Sequence, residues 1–245
     1  MGIRQSPGRD SHRHCQRLMT GSVLKGLEVS CFPVGPLACN TYLLENLEDN
    51  SAILIDPGEE GDFLSNQLHK RSLTLRAILL THGHFDHILG LLPLHLNFPT
   101  VPIYLHVADK FLYKRAVASA KHWVGEGYSP DPPPEAKALS STGDLAKGQV
   151  GTPKAGGESL LSHLTVIHTP GHTPGSVSYY LPGEGILFSG DTLFKNAVGR
   201  TDLSYSDPDA LKDSLKLLLK LPPETLVYPG HDDPTTIGDE GQLNY

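Results

Sequence analysis

Histidine and aspartate crowd into one short run, Thr81-His82-Gly83-His84-Phe85-Asp86-His87. One residue separates His82 from His84, so on an extended loop both imidazoles can point to the same side and chelate one metal ion. Asp86 and His87 then face elsewhere. A carboxylate oxygen with an imidazole nitrogen suits a second cation of the zinc, iron or manganese type, so one loop could seed two metal sites. Three further candidates each follow a glycine at the end of an expected strand: His172 in Thr169-Pro170-Gly171-His172, Asp191 in Ser189-Gly190-Asp191 and His231 in Pro229-Gly230-His231. Glycine there lets the backbone come close to a metal. His95, His106, His122, His163 and His168 have no comparable neighbours and read as surface or hydrogen-bonded residues.

The elements that must hold these groups alternate between strand and helix. Leu27 to Val34, Cys39 to Glu45 and Ser51 to Asp56 read as an antiparallel β-meander, and Glu59 to Lys70 as a helix with acids at its positive end. Leu75 to Leu80 is an almost uninterrupted apolar run, which suits a strand covered on both faces, and it delivers the chain directly to Thr81 and His82. From Asp86 a helical pattern runs through Ile88, Leu89, Leu92 and Leu96 past Pro93. A strand over Val101 to His106 and a helix over Ala108 to Ala118 follow. Residues 125–157, with Pro130, Pro132, Pro133, Pro134 and Pro153, read as a loop-like surface insertion. Strands return at Leu164 to His168, Ser176 to Leu181 and Ile186 to Ser189, then the helix Asp207 to Lys220 and the strand Thr225 to Tyr228.

Bulk properties narrow the function further. A chain of 245 residues with 38% hydrophobic content can bury a core without disulfides and reads as one α/β domain. The formal charge of −7 gives no basic stripe for a phosphate backbone, so nucleic acid is not an expected partner. Cys15, Cys31 and Cys39 show no C-x-x-C spacing and suit a reducing, cytoplasmic setting. No run reaches the roughly 18 apolar residues of a membrane span. Residues 1–26 are basic, lack an apolar segment and read as a disordered tail ahead of a domain over 27–245, with an organellar transit segment as the alternative.

His82-x-His84-x-Asp86-His87, followed in order by His172, Asp191 and His231, resembles the complete ligand set of the metallo-β-lactamase superfamily over about Leu27 to Ile237. That resemblance implies a four-layer αββα sandwich, with two mixed β-sheets flanked by helices. It also implies that His82, His84 and His172 hold one metal ion, that Asp86, His87 and His231 hold a second, and that Asp191 bridges them. Two divalent ions are expected, zinc first, with iron or manganese as alternatives. Five imidazoles and two carboxylates neutralise only part of their charge, leaving a Lewis-acidic pair able to activate water and polarise a carbonyl or phosphoryl oxygen. Asp86 and Asp191 are the expected catalytic carboxylates, Asp86 by orienting the nucleophile. Ser176 and Cys39 read as ordinary residues.

Asp191 stands where zinc β-lactamases typically carry cysteine, which points away from antibiotic hydrolysis. Gly190-Asp191-Thr192-Leu193-Phe194 followed by Gly199-Arg200-Thr201-Asp202-Leu203 resembles the glyoxalase II group, above all its short bacterial-type members. The implied activity is hydrolysis of a small thioester such as an S-acyl or hydroxyacyl glutathione. Arg200 matches a substrate-holding lysine of that group and is the candidate substrate-binding residue, whereas Asp202 replaces a tyrosine. The chain ends soon after His231, so the helical domain that completes the glutathione pocket in full-length glyoxalase II is expected to be lacking. Persulfide dioxygenases are similar around Gly199 to Asp202 and would use one iron on His82, His172 and Asp191. A catalytically silent metal-binding protein is the alternative of another class.

Overall fold

The computed structural model describes residues 16–17, 26–139, 149–150 and 160–242. The first sheet has seven strands in sequence order: β1 (Gln16–Arg17), β2 (Leu27–Val34), β3 (Cys39–Asn46), β4 (Ser51–Ile55), β5 (Thr74–Leu79), β6 (Ile103–His106) and β7 (Lys137–Leu139). Pairing is antiparallel as far as β4 and parallel from β4 to β7. The second sheet contains β8 (Gln149–Val150), β9 (Thr165–His168), β10 (Val177–Leu181), β11 (Ile186–Gly190), β14 (Leu226–Pro229) and β15 (Thr235–Thr236), in the order β15-β14-β11-β10-β9-β8. Its β11–β14 pair is parallel and the others are antiparallel. A separate hairpin, β12 (Leu193–Phe194) with β13 (Ala197–Val198), follows Asp191.

Three apolar clusters stack these elements into four layers. In β4, Ile53 and Ile55 face one cluster while Ala52 and Leu54 face another, so a continuous apolar run fills both faces of a central strand. The inner cluster joins the sheets, with Tyr42, Leu44 and Leu79 on one side and Tyr179, Phe188 and Tyr228 on the other. Outside the first sheet lie α1 (Gly61–Lys70), α2 (Leu91–Asn97) and α4 (Ala116–Val124), through Leu64, Leu68, Leu91, Leu94, Ala116 and Ala120. Outside the second lies α5 (Pro208–Leu218), which buries Leu211, Leu215 and Leu218 against Leu187 and Val227. Asp207 caps α5 by accepting from the backbone N–H groups of Asp209 and Ala210, with Pro208 in the first turn. The architecture is therefore the αββα sandwich, two mixed sheets between helices.

Several local expectations change. The helix expected from Asp86 is a single 3₁₀ turn, Phe85–His87, and α2 begins only at Leu91. Pro93 explains the start: it falls in the first turn of α2, where its missing N–H is not needed. Leu96 belongs to the same helical pattern but is 71% exposed. The helix expected over Ala108 to Ala118 is a 3₁₀ turn (Val107–Asp109), a short α3 (Lys110–Lys114) and α4. Within 125–157, the stretch Lys137–Leu139 adds β7 to the first sheet and Gln149–Val150 adds β8 to the second, while 140–148 and 151–157 lie outside the described residues. Such short edge strands take their structure from the neighbour they pair with and carry no periodicity of their own. Of the expected tail, Gln16–Arg17 pairs with Cys31 and Ser30, and residues 1–15 and 18–25 lie outside the described residues.

Candidate metal centre

The candidate side chains meet on the loops that follow β5, β9, β11 and β14. In the first sheet this is the carboxyl end of its parallel strands, where α/β folds place their ligands. His82 Nε2 and His172 Nε2 each lie 3.0 Å from His84 Nδ1. Asp191 Oδ2 faces the same point, 3.5 Å from His172 Nε2 and 4.0 Å from His82 Nε2. The other oxygen, Oδ1, lies 3.5 Å from His87 Nε2. Asp86 Oδ2 completes a second group, 3.3 Å from His231 Nε2 and 3.8 Å from His87 Nε2. All seven sequence candidates are thus brought together, in two clusters joined by the Asp191 carboxylate.

Four of the five imidazoles have their outward nitrogen in a hydrogen bond, which fixes each ring with its other nitrogen facing inward. His172 Nδ1 donates to the Arg200 carbonyl at 3.0 Å. His82 Nδ1 donates to Thr81 Oγ1 at 3.0 Å, and that hydroxyl donates on to Asp56 Oδ2 at 2.5 Å. His87 Nδ1 donates to Asp56 Oδ2 at 3.0 Å, and His84 Nε2 and Tyr205 Oη share a hydrogen bond of 2.8 Å. His84 Nδ1 lies 3.0 Å from two other imidazole nitrogens and, even with a proton, can donate to only one of them, so at least one inward lone pair is left without a donor. His87 Nε2 and Asp191 Oδ1 are buried with no hydrogen-bond partner among the described residues. A divalent cation satisfies these atoms, and imidazole nitrogen with carboxylate oxygen is a donor set such cations take. The residues present fit a divalent metal centre.

Electrostatics point the same way. Burial, reinforced by the neighbouring imidazoles, holds His82 well below the usual histidine range. Burial and His172 together push His84 down to about 3. Both are therefore neutral and able to donate a lone pair. Burial acts against protonation of His87 too, but the carboxylates Asp191, Asp86 and Asp56 outweigh it and raise the group well above its ordinary value. Asp86 is buried, which alone would raise it, yet His87 and His231 hold it low and ionised. The carboxylates around His87 therefore favour positive charge at that point.

Two participants escape a reading of the sequence. Asp56 follows β4 in Ile55-Asp56-Pro57-Gly58, with both oxygens engaged by Thr81 and His87 and a left-handed φ of 49°. An acid at the carboxyl end of an apolar strand, beside the strand that delivers His82, is the signal that could have found it. Tyr205 gives no such signal; its ring meets Phe111 at 5.6 Å and its hydroxyl reaches His84. Arg200 lies at the rim, half-exposed, bonded through two nitrogens to Asp202 at 2.6 and 2.8 Å and stacked over Trp123. Cys39 and Ser176 are buried; burial pushes the Cys39 thiol up to about 12, which removes it as a nucleophile.

Residues 34–231 match the pattern of the Metallo-beta-lactamase superfamily. The chain belongs to that superfamily. A curated relative, the probable metallo-hydrolase YqgX of Bacillus subtilis, is 35% identical over 86% of this chain and 93% of its own. Hydroxyacylglutathione hydrolase GloC of Haemophilus influenzae is 30% identical over 89% of this chain and 97% of its own. Among solved structures, TTHA1623 in a di-iron-bound form is 42% identical with a TM-score of 0.72, covering 87% of this chain and 98% of its own. BLEG-1 B3 metallo-beta-lactamase is 36% identical with a TM-score of 0.76, covering 88% and 97%. ETHE1 from Myxococcus xanthus is 28% identical with a TM-score of 0.62, covering 86% and 80%.

Proposed function

We propose that this metallo-β-lactamase-fold protein is a metal-dependent hydrolase of small thioesters, similar to glyoxalase II, acting on an S-acyl or hydroxyacyl glutathione or a related thiol ester. The observation that carries the metal-dependent part is the convergence of five imidazoles on the Asp86 and Asp191 carboxylates, with His87 Nε2 and Asp191 Oδ1 buried and without a hydrogen-bond partner among the described residues. The similarity to GloC and the loop from Gly199 to Leu203 support the thioester.

His82, His84 and His172 would hold one ion, Asp86, His87 and His231 the other, and Asp191 would offer one oxygen to each. Zinc is the first choice, and the similarity to TTHA1623 supports iron as the alternative. Two such ions would supply Lewis acidity for water activation and carbonyl polarisation. The residues do the rest. Asp86, held ionised by His87 and His231, can accept a hydrogen bond from the attacking water and orient it. Asp56 and Thr81 hold the outer nitrogens of His82 and His87, so that each ring keeps its Nε2 facing inward. Arg200 is the candidate contact for the substrate's thiol portion. In the net reaction, water adds its oxygen to the acyl carbon, the C–S bond breaks and the thiol leaves with a proton.

The test is loss of the thioester absorbance of S-lactoylglutathione by wild-type protein and by Asp191→Ala. Turnover that Asp191→Ala abolishes is the expected result, and unchanged turnover in that variant would refute the site. The likeness to BLEG-1 makes nitrocefin the control substrate, and preferential turnover of nitrocefin would replace the thioester reading with β-lactam hydrolysis. The likeness to ETHE1 and the Gly199 to Asp202 segment favour a second reading, persulfide dioxygenation with one iron. Steady oxygen uptake with glutathione persulfide would establish it, and no uptake would remove it.

A further inference from the structure

We propose that Asp109 is a positioning residue for one half of the centre, fixing the two loops that carry His82, His84 and His172 and so setting affinity for that ion and not for its neighbour. The inference rests on the two-ion reading above. Asp109 ends the 3₁₀ turn after β6 and is completely buried. Its Oδ2 accepts from the backbone N–H of Gly83, the residue between His82 and His84, at 2.8 Å. The same oxygen accepts from the hydroxyl of Thr173, which follows His172, at 2.7 Å. Oδ1 accepts from the N–H of Gly175 at 2.6 Å. One carboxylate therefore joins the loop after β5 to the loop after β9, segments far apart in the sequence.

This junction has little slack. A Cβ added at Gly175 would lie 2.6 Å from the Asp109 carboxylate, so the loop rests directly against it. Among the described residues no lysine or arginine forms an ion pair with Asp109, so its charge is met by hydrogen bonds to the two loops. Removing the carboxylate would leave two N–H groups and a hydroxyl without their acceptor and would let the loops separate. Asp86, His87 and His231 are not among its hydrogen-bond partners. Asp56 differs, because it touches His87 directly and His82 through Thr81. Asp109 thus serves one cluster and Asp56 serves both.

The experiment compares zinc binding by wild-type protein, Asp109→Asn and Asp109→Ala, using competition with a chromophoric chelator to obtain stepwise dissociation constants. Anomalous diffraction at the zinc edge then identifies the half that empties. Asp109→Asn keeps the shape and one acceptor oxygen, so it should weaken one ion about 10-fold; Asp109→Ala should weaken it about 100-fold. Occupancy should fall at His82, His84 and His172 and persist at Asp86, His87 and His231. Asp56→Asn should weaken both ions. Unchanged constants in the folded Asn variant, or equal weakening of both ions in either Asp109 variant, would overturn the proposal while leaving the two-ion reading intact. Wild-type protein that takes up no zinc, iron or manganese would overturn that reading and this proposal with it.

Discussion

Gly230 gives the metal centre a steric test in which no proposed ligand residue is itself substituted. A Cβ built on Gly230 would sit 2.3 Å from Asp191 Oδ1 and 2.8 Å from His87 Cε1. The first distance is about 1 Å short of ordinary van der Waals contact, so something must move. The backbone is anchored on both sides, since Gly230 N–H donates to Gly190 O at 2.9 Å and Gly230 O accepts from Asn40 N–H at 2.7 Å. The Asp191 carboxylate is therefore the part that gives. Metal–ligand distances tolerate about 0.2 Å, so a shift of this size removes Oδ1 from the second cluster. Gly230→Ala should lower kcat/KM on a thioester substrate at least about 100-fold and reduce bound metal from two ions toward one. Overpacking should also cost about 1–3 kcal/mol of stability. Gly183→Ala, with nothing among the described residues within 4 Å of the added carbon, is the matched control and should be silent. Metal analysis, steady-state kinetics and thermal unfolding measure all three effects. Full activity with two bound ions in Gly230→Ala would refute the placement of Asp191.

Two further predictions concern the rim and the buried histidines. Arg200→Ala should raise KM with little change in thermal midpoint, because its ion pair with Asp202 is exposed and screened by solvent; an unchanged KM would reduce Arg200 to a brace for the loop. His106, stacked on His168 and only 5% exposed, is pushed by burial and by His168 to about 4. Its unfolded value is near 6.5, so the unfolded chain binds the proton first and stability falls as pH drops from about 6.5 to 4, by up to about 3 kcal/mol. His106→Asn, which keeps an acceptor for Ala108 N–H, should lose less stability over that window in chemical denaturation. Parallel pH profiles for the two proteins would contradict this.

The run from Thr81 to His87 was legible because its chemistry is local: the spacing alone brings two imidazoles to one side. His172, Asp191 and His231 were legible because each follows a glycine at a strand end. Asp56 and Asp109 were not, since a buried acid takes its meaning from partners 25 to 66 residues away that no local pattern announces. The long apolar strands and α5 followed from apolar runs and helical periodicity, whereas the edge strands β7 and β8 followed from pairing. The broken helix at Val107 to Val124 shows the limit of propensity: the 3₁₀ turn places Asp109 between two loops, a tertiary demand on a helix-compatible sequence.

A two-ion centre built on a shared Asp191 is tested most directly by elemental analysis of wild-type protein and Asp191→Ala, each expressed in metal-replete medium. Close to two transition-metal ions per wild-type chain and a clear loss in Asp191→Ala are expected. A wild-type chain without metal, or an Asp191→Ala chain that retains both ions, would contradict it.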